Sequence, residues 1–163
     1  MISKILVFSR SAIINSIHLF NQQKIGLISI ISYPTDVLLT FDFMALKGIK
    51  QFPHLTACFS DVTRNEKGDF LFFNENHAKR IIEFINEIKD NVDTLIIHCD
   101  AGESRSGAAG LWANRYLGLD ENTFLRNNSR IYPNYDVYRI LYIESGMQKV
   151  KEDEVQMTFS KKD

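Results

Sequence analysis

The stretch that most constrains this chain is His98-Cys99-Asp100-Ala101-Gly102-Glu103-Ser104-Arg105-Ser106-Gly107, which follows the apolar run Thr94-Leu95-Ile96-Ile97 and leads into Ala108-Ala109-Gly110-Leu111-Trp112. Such an order reads as strand, tight polar loop, helix. A cysteine and an arginine separated by five residues on that loop can both face one small anion. The backbone N–H groups between them then point inward, and the first turn of the helix adds its unpaired donors and the positive end of its dipole. Arg105 offers a planar fork to two phosphate oxygens, while Gly102 permits a backbone angle that a side chain forbids. The thiolate of Cys99 is the reactive form, and a helix N-terminus beside an arginine favours it. On this reading Asp100, Ala101, Gly102, Glu103, Ser104 and Arg105 form a substrate-binding cradle that holds phosphate with no metal and no cofactor.

Cys-x5-Arg alone is weak, since an arginine falls at any one offset in about 5% of cases. Requiring His before the cysteine, Gly three after it and Ser or Thr after the arginine lowers the chance to roughly one in 10⁵ per cysteine. At these residues the chain resembles the cysteine-dependent protein phosphatases, nearest their dual-specificity and atypical tyrosine-phosphatase branch. The pattern of that family is His-Cys-x-x-Gly-x-x-Arg-Ser/Thr, and each place is filled here. The ending Ser104-Arg105-Ser106 is similar to dual-specificity loops rather than to the Gly-Arg-Ser of large tyrosine phosphatases. The resemblance runs from about residue 55 to about residue 141. It implies a hydrolase that works through a phosphocysteine intermediate, in which the Ser106 hydroxyl assists departure of the Cys99 thiolate.

The chain in order predicts an α/β fold. Residues 4–9 read as a short buried strand, and Ser11 caps a helix through Ala12, Ile13, Ile14, Ile17, Leu19 and Phe20. Lys24-Ile25-Gly26 turns into a second strand, Leu27-Ile28-Ser29-Ile30-Ile31, which stops before Pro34. Strand, helix, strand at this spacing argues a parallel start. Residues 33–52 read as a loop with one helical turn. A third strand, Leu55-Thr56-Ala57-Cys58-Phe59, delivers the chain to Ser60-Asp61-Val62-Thr63-Arg64. Asn74 then caps an amphipathic helix with Ala78, Ile81, Ile82, Ile85 and Ile88 on one face. After the catalytic helix, Asp120 caps a short helix through Phe124 and Leu125. The expected whole is a single domain over 1–150, with a central, mostly parallel, twisted sheet of four to five strands flanked by helices, as in dual-specificity phosphatases. Residues 151–163 read as a polar mobile tail.

Turnover of a phosphate monoester near neutral pH needs an acid to protonate the leaving oxygen. Asp61, on the loop that leaves the third strand, is the candidate, provided that strand neighbours the one ending at Cys99. Asp69, in Lys67-Gly68-Asp69-Phe70, is the rival, in what looks like an insertion. In the resembling family the acid also sits on the loop after the preceding strand, and Phe-Ser-Asp-Val is similar to the segment that carries it. Neighbouring strand residues alternate faces, so His98 points away from substrate and orients the loop by hydrogen bonding. Arg130-Ile131-Tyr132-Pro133-Asn134 also resembles dual-specificity phosphatases, where Arg-x-x-Pro-Asn opens the last helix. Asn134 then braces the floor of the site or simply caps the helix, and Arg130 reaches a second anionic group or is a surface charge. Arg10 and His18 read as surface or helix-flank residues, and His77 as a surface residue. Cys58 reads as a buried small hydrophobe, with a redox disulfide to Cys99 as the sharper alternative. Four scattered histidines make no metal-ligand spacing.

Substrate class is less constrained. The net charge of −1 gives no general attraction to nucleic acid or to an anionic membrane. Two cysteines do not make a disulfide framework, and a reactive thiol suits a reducing compartment, so a cytoplasmic monomer is expected. The expected substrate is a phosphorylated protein or peptide, phosphotyrosine first. Asp100 and Glu103 in the loop repel a polyanion if they face the cleft, which disfavours a phosphoinositide or RNA 5′-phosphatase of the same fold. A phosphate-binding module that has lost turnover is the rival from another class.

Overall fold

The computed structural model describes residues 1–34, 51–63 and 66–147. The expected helical turn within 33–52 and the expected tail therefore lie largely or wholly outside the described residues. Four parallel strands, β1 (Lys4–Ser9), β2 (Ile25–Ile31), β3 (His54–Cys58) and β4 (Thr94–Cys99), form one sheet in the order β1-β4-β2-β3. The helices are α1 (Arg10–Ser16), α2 (Glu75–Ile88), α3 (Arg105–Tyr116), α4 (Glu121–Asn127) and α5 (Tyr135–Glu144). Every residue of β2 and β4 is buried, which is why those strands read as unbroken apolar runs rather than alternating ones.

Alternation along the central strands divides the core in two. Ile28, Ile30, Leu95, Ile97 and Cys99 face α2, α3 and α5, while Ile25, Leu27 and Ile96 face Ile13 and Ile17 on the other side. Cys99 thus lies on the three-helix side. Its neighbour His98 lies on the α1 side.

Local chemistry explains where element boundaries differ from expectation. Ser9, not Ser11, caps α1: its Oγ accepts from the Ala12 N–H at 3.2 Å. The helix ends at Ser16, whose hydroxyl bonds back to the Ala12 carbonyl at 2.6 Å, and the chain tightens into a 3-10 turn at Ile17–Phe20. Asn74 caps α2 as expected. Its Oδ1 accepts from the Asn76 and His77 N–H groups at 3.0 and 3.2 Å, and His77 Nδ1 accepts in return from the Asn74 N–H at 3.2 Å. The same ring stacks on Phe73 and lies beside Phe59, so His77 is half-buried rather than on the surface.

The condition set for Asp61, that its strand neighbours the one ending at Cys99, is not met, because β2 lies between β3 and β4. Asp61 still reaches the loop. The chain leaving β3 stays close to the end of β2, where the Phe59 N–H donates to the Ile31 carbonyl at 2.9 Å.

β1 is an edge strand, and Asn128 occupies its open side. The Val7 N–H donates to Asn128 Oδ1 at 2.7 Å, and Asn128 Nδ2 donates to the carbonyls of Ile5 and Phe124 at 3.1 and 2.8 Å. One side chain thereby supplies what a neighbouring strand would. Replacing Asn128 with Ala strands buried polar groups of β1 and α4, and should lower unfolding stability by about 2–3 kcal/mol in a urea titration.

Candidate active site

Cys99 is the last residue of β4 and is buried. Its Sγ lies 3.0 Å from Ser106 Oγ and accepts from the Gly102 N–H at 3.3 Å. A thiolate there has two donors facing it, one from the loop and one from the first turn of α3. The loop can turn so sharply only through Gly102, whose φ is +76°, and whose missing Cβ would collide with the main chain of Phe8 and Ser9 in β1. Backbone angle and close packing both exclude any other residue.

Arg105 opens α3 and is itself 2% exposed. Its Nη1 donates to the Phe59 carbonyl at 2.8 Å and to Ser32 Oγ at 3.0 Å, and its Nη2 donates to Asp100 Oδ2 at 2.5 Å. Its Nε is buried without a hydrogen bond and lies 3.9 Å from Asp61 Oδ2. This leaves the Nε edge of the fork facing Asp61.

Asp100 belongs to the cradle through its backbone, but its side chain is bound elsewhere. Besides Arg105, Oδ2 accepts from Ser32 Oγ at 2.8 Å, and Oδ1 pairs with Arg10 Nη2 at 2.6 Å. Burial pushes the Asp100 carboxyl up, yet hydrogen bonds from Arg105 and Ser32 and the charges of Arg105 and Arg10 outweigh it and hold the group below its usual range. Arg10 does flank a helix, opening α1, but its guanidinium belongs to this network rather than to the open surface. It and Ser32 are the site residues that the sequence reading missed. The available signal was position: each directly follows a strand of a parallel sheet, at the C-terminal end where α/β sites form.

Asp61 sits against the loop. Its Oδ1 accepts from Ser104 Oγ at 2.7 Å and from Asn134 Nδ2 at 3.2 Å, and Oδ2 faces Arg105. Asn134 does both things considered for it: its Oδ1 caps α5 by accepting from the Val137 N–H at 3.2 Å, while its amide holds Asp61 and its backbone N–H donates to the Ser104 carbonyl. Asp69 is exposed and makes no hydrogen bond to the loop among the described residues. Glu103 and Arg130 are exposed; the Glu103 carbonyl accepts from the Tyr132 N–H at 3.1 Å, tying the loop to the segment before α5. Ala101 is exposed at the rim.

Cys58 is placed away from Cys99. With β2 between their strands the two backbones stand ~9.5 Å apart. Cys58 also alternates with Ala57 and Phe59, which join the core that holds Cys99. A disulfide needs Cα atoms within about 7 Å, so the alternative of a redox bridge is ruled out in the folded chain. Cys58 Sγ instead donates to the Ser32 carbonyl at 3.7 Å.

No protein-family model matches the chain, and no curated protein matches it in sequence. Solved structures do match it in shape. The human tyrosine phosphatase-like serine/threonine/tyrosine-interacting protein superposes with a TM-score of 0.60 at 16% identity, covering 88% of this chain and 91% of that one. Human DUSP28 gives 0.57 at 13% identity and 94% coverage of both chains. PTPMT1 in complex with PI(5)P gives 0.56 at 14% identity, covering 88% and 91%. This chain therefore has the fold of the cysteine-dependent phosphatases of the dual-specificity and atypical tyrosine type, with His98 and Cys99 at the positions expected for that fold.

Two buried histidines bear on pH. Burial moves His54 and His98 from the ordinary 6.5 to about 4. The folded chain refuses protons that the unfolded chain accepts, so the stability tied to neutral rings is complete above pH 6.5 and is lost as pH falls toward 4. Urea midpoints measured across that interval should fall steadily for the wild type and less steeply for His54→Phe.

Proposed function

We propose that this chain hydrolyses phosphate monoesters through a phosphocysteine intermediate, acting on phosphorylated protein side chains with phosphotyrosine first. The observation that carries the reading is the convergence of Cys99 Sγ, the Ser106 hydroxyl, the Gly102 N–H, buried Arg105 and Asp61 on one loop mouth. Cys99 attacks phosphorus in line, while the backbone cradle and the Arg105 Nε edge stabilise the equatorial oxygens. Asp61 protonates the leaving oxygen. Its Oδ1 is taken by Ser104 and Asn134, so the proton belongs on Oδ2, the oxygen on the Arg105 side. In the second step the carboxylate draws a proton from water, which attacks the phosphocysteine, and Ser106 assists the departing sulfur. A reducing compartment such as the cytoplasm would keep that sulfur available.

A lipid reading is prompted by PTPMT1, which was solved with PI(5)P. Against it, this loop carries carboxylates at Asp100 and Glu103, and the charge added by Asp100 offsets that of Arg10. The second reading of note is a phosphate-binding module without turnover, and one observation favours it: Asp61 Oδ1 is tied to Ser104 and Asn134, as a residue that only holds the loop in shape would be.

Hydrolysis of para-nitrophenyl phosphate with EDTA present, across about pH 5 to 8, separates these readings. Activity should persist in EDTA, be blocked by vanadate and vanish in Cys99→Ser. Absence of activity in freshly reduced wild type, with phosphopeptide binding retained, would establish the module instead. For the acid, Asp61→Asn should slow alkyl phosphates by about 10²-fold or more and aryl phosphates less, because a phenoxide needs less protonation. Asp69→Asn should leave both rates near wild type; a larger effect there would transfer the role to Asp69.

A further inference from the structure

Asp100 stands between two guanidinium groups, those of Arg105 and Arg10. A guanidinium carries five N–H donors in a fixed fork. Among the described residues three donors of Arg105 are used: Nη1 gives one hydrogen to the Phe59 carbonyl and one to Ser32 Oγ, and Nη2 gives one to Asp100 Oδ2. Ser32 Oγ in turn donates to the same Asp100 oxygen at 2.8 Å, so that oxygen sits at the Nη1–Nη2 end of the fork. The second Nη2 hydrogen and the Nε hydrogen remain, and Nε has no hydrogen bond. These two lie parallel on the other edge, the pair that an anion takes with two oxygens.

A carboxylate beside an arginine competes for that edge. Fork against fork, with both oxygens engaged, is the strong geometry for such a pair. Asp100 does not adopt it. One oxygen meets Arg105, while the other, Oδ1, is drawn off to Arg10 Nη2 at 2.6 Å. Arg10 holds Asp100 twice, since its N–H also donates to the Asp100 carbonyl at 3.2 Å. The sheet sets this grip. β1 and β4 end in register at Ser9 and Cys99, so the next residue of each, Arg10 and Asp100, emerges beside the other.

We propose that Arg10 is a positioning residue for Arg105, acting through Asp100: it holds the carboxylate end-on and so reserves the Nε–Nη2 edge for a phosphate. The inference rests on the loop from Cys99 to Arg105 being the phosphate site. Without Arg10 two effects run the same way. The Asp100 carboxylate turns onto the open edge of its remaining partner, and its charge, no longer balanced, repels a dianion at the loop. Arg10 therefore sets anion affinity without touching the anion. The pair is partly exposed, 21% for the Arg10 side chain and 43% for that of Asp100, so the effect is moderate.

The test reads phosphate binding and needs no turnover. In the full, reduced chain, inorganic phosphate should protect Cys99 from iodoacetamide, and the extent of alkylation, read on the Cys99 peptide by mass spectrometry, gives the dissociation constant. Arg10→Met should raise that constant roughly five- to tenfold. Arg10→Lys, which keeps a charge for Oδ1, should lie nearer wild type. Adding Asp100→Asn to Arg10→Met should remove the loss, because the carboxylate that closes the fork is gone. Asp100→Asn alone should bind phosphate at least as tightly as wild type. A double variant as weak as Arg10→Met would overturn the proposal, for Arg10 would then act on phosphate directly or through the fold. So would a wild-type constant in Arg10→Met, weaker binding in Asp100→Asn, or wild-type Cys99 left unprotected. Far- and near-UV circular dichroism confirms that folded protein is being compared, and if Arg10→Met does not fold, Asp100→Asn against wild type still decides. If the expected order is obtained and para-nitrophenyl phosphate is not turned over, the role of Arg10 stands and the hydrolase reading falls.

Discussion

The loop from Cys99 to Arg105 must turn tightly to pass from β4 into α3, and here the room for the turn is taken from β1. Gly102 lies against the main chain of Phe8 and Ser9 so closely that no side chain fits. That contact fixes the distance between the end of β1 and the loop from Cys99 to Arg105, and much else follows from it. The Arg10 N–H donates to the Asp100 carbonyl at 3.2 Å, and its guanidinium meets the Asp100 carboxylate. The same Ser9 that borders Gly102 caps α1. Backbone packing therefore comes first, and the charge network is arranged upon it.

The network draws on every strand. Arg10 follows β1, Ser32 follows β2, Phe59 and Asp61 follow β3, and the loop itself follows β4. Ser32, Phe59, Asp61 and Asp100 converge on Arg105, with Arg10 joined through Asp100, which is the best reason that a guanidinium can be buried at this point: its charge is paired and two of its nitrogens are hydrogen-bonded. The guanidinium is thus held in place by the chain's own groups. Parallel strands make such convergence easy, because their C-terminal ends lie together.

How much of this was legible in the sequence depends on the range of each interaction. The loop was readable because Cys99, Gly102, Arg105 and Ser106 lie close together in the chain and one turn places them all. The Asn74 cap and the apolar stripe of α2 were readable for the same reason, being set within a few residues. Strand order was not. A run of apolar residues says that β2 and β4 are buried, but not that β4 lies between β1 and β2. Arg10 and Ser32 were missed because nothing near them in sequence names Asp100 as their partner. His77 was misplaced because Phe59, the ring it lies beside, comes from another part of the chain.

The position of β4 has a consequence for how the thiol comes into being. β4 fills the gap between two strands made much earlier in the chain, with Lys4 opposite Thr94 on one side and Ile25 opposite Thr94 on the other. Closing contacts of such long sequence separation is slow, and neither flank of the sheet is complete without it. Until the middle strand is seated there is no wall for Gly102 to turn against and no cradle around sulfur. A chain caught partway through folding has no such loop, so the site is an all-or-none property of the finished sheet.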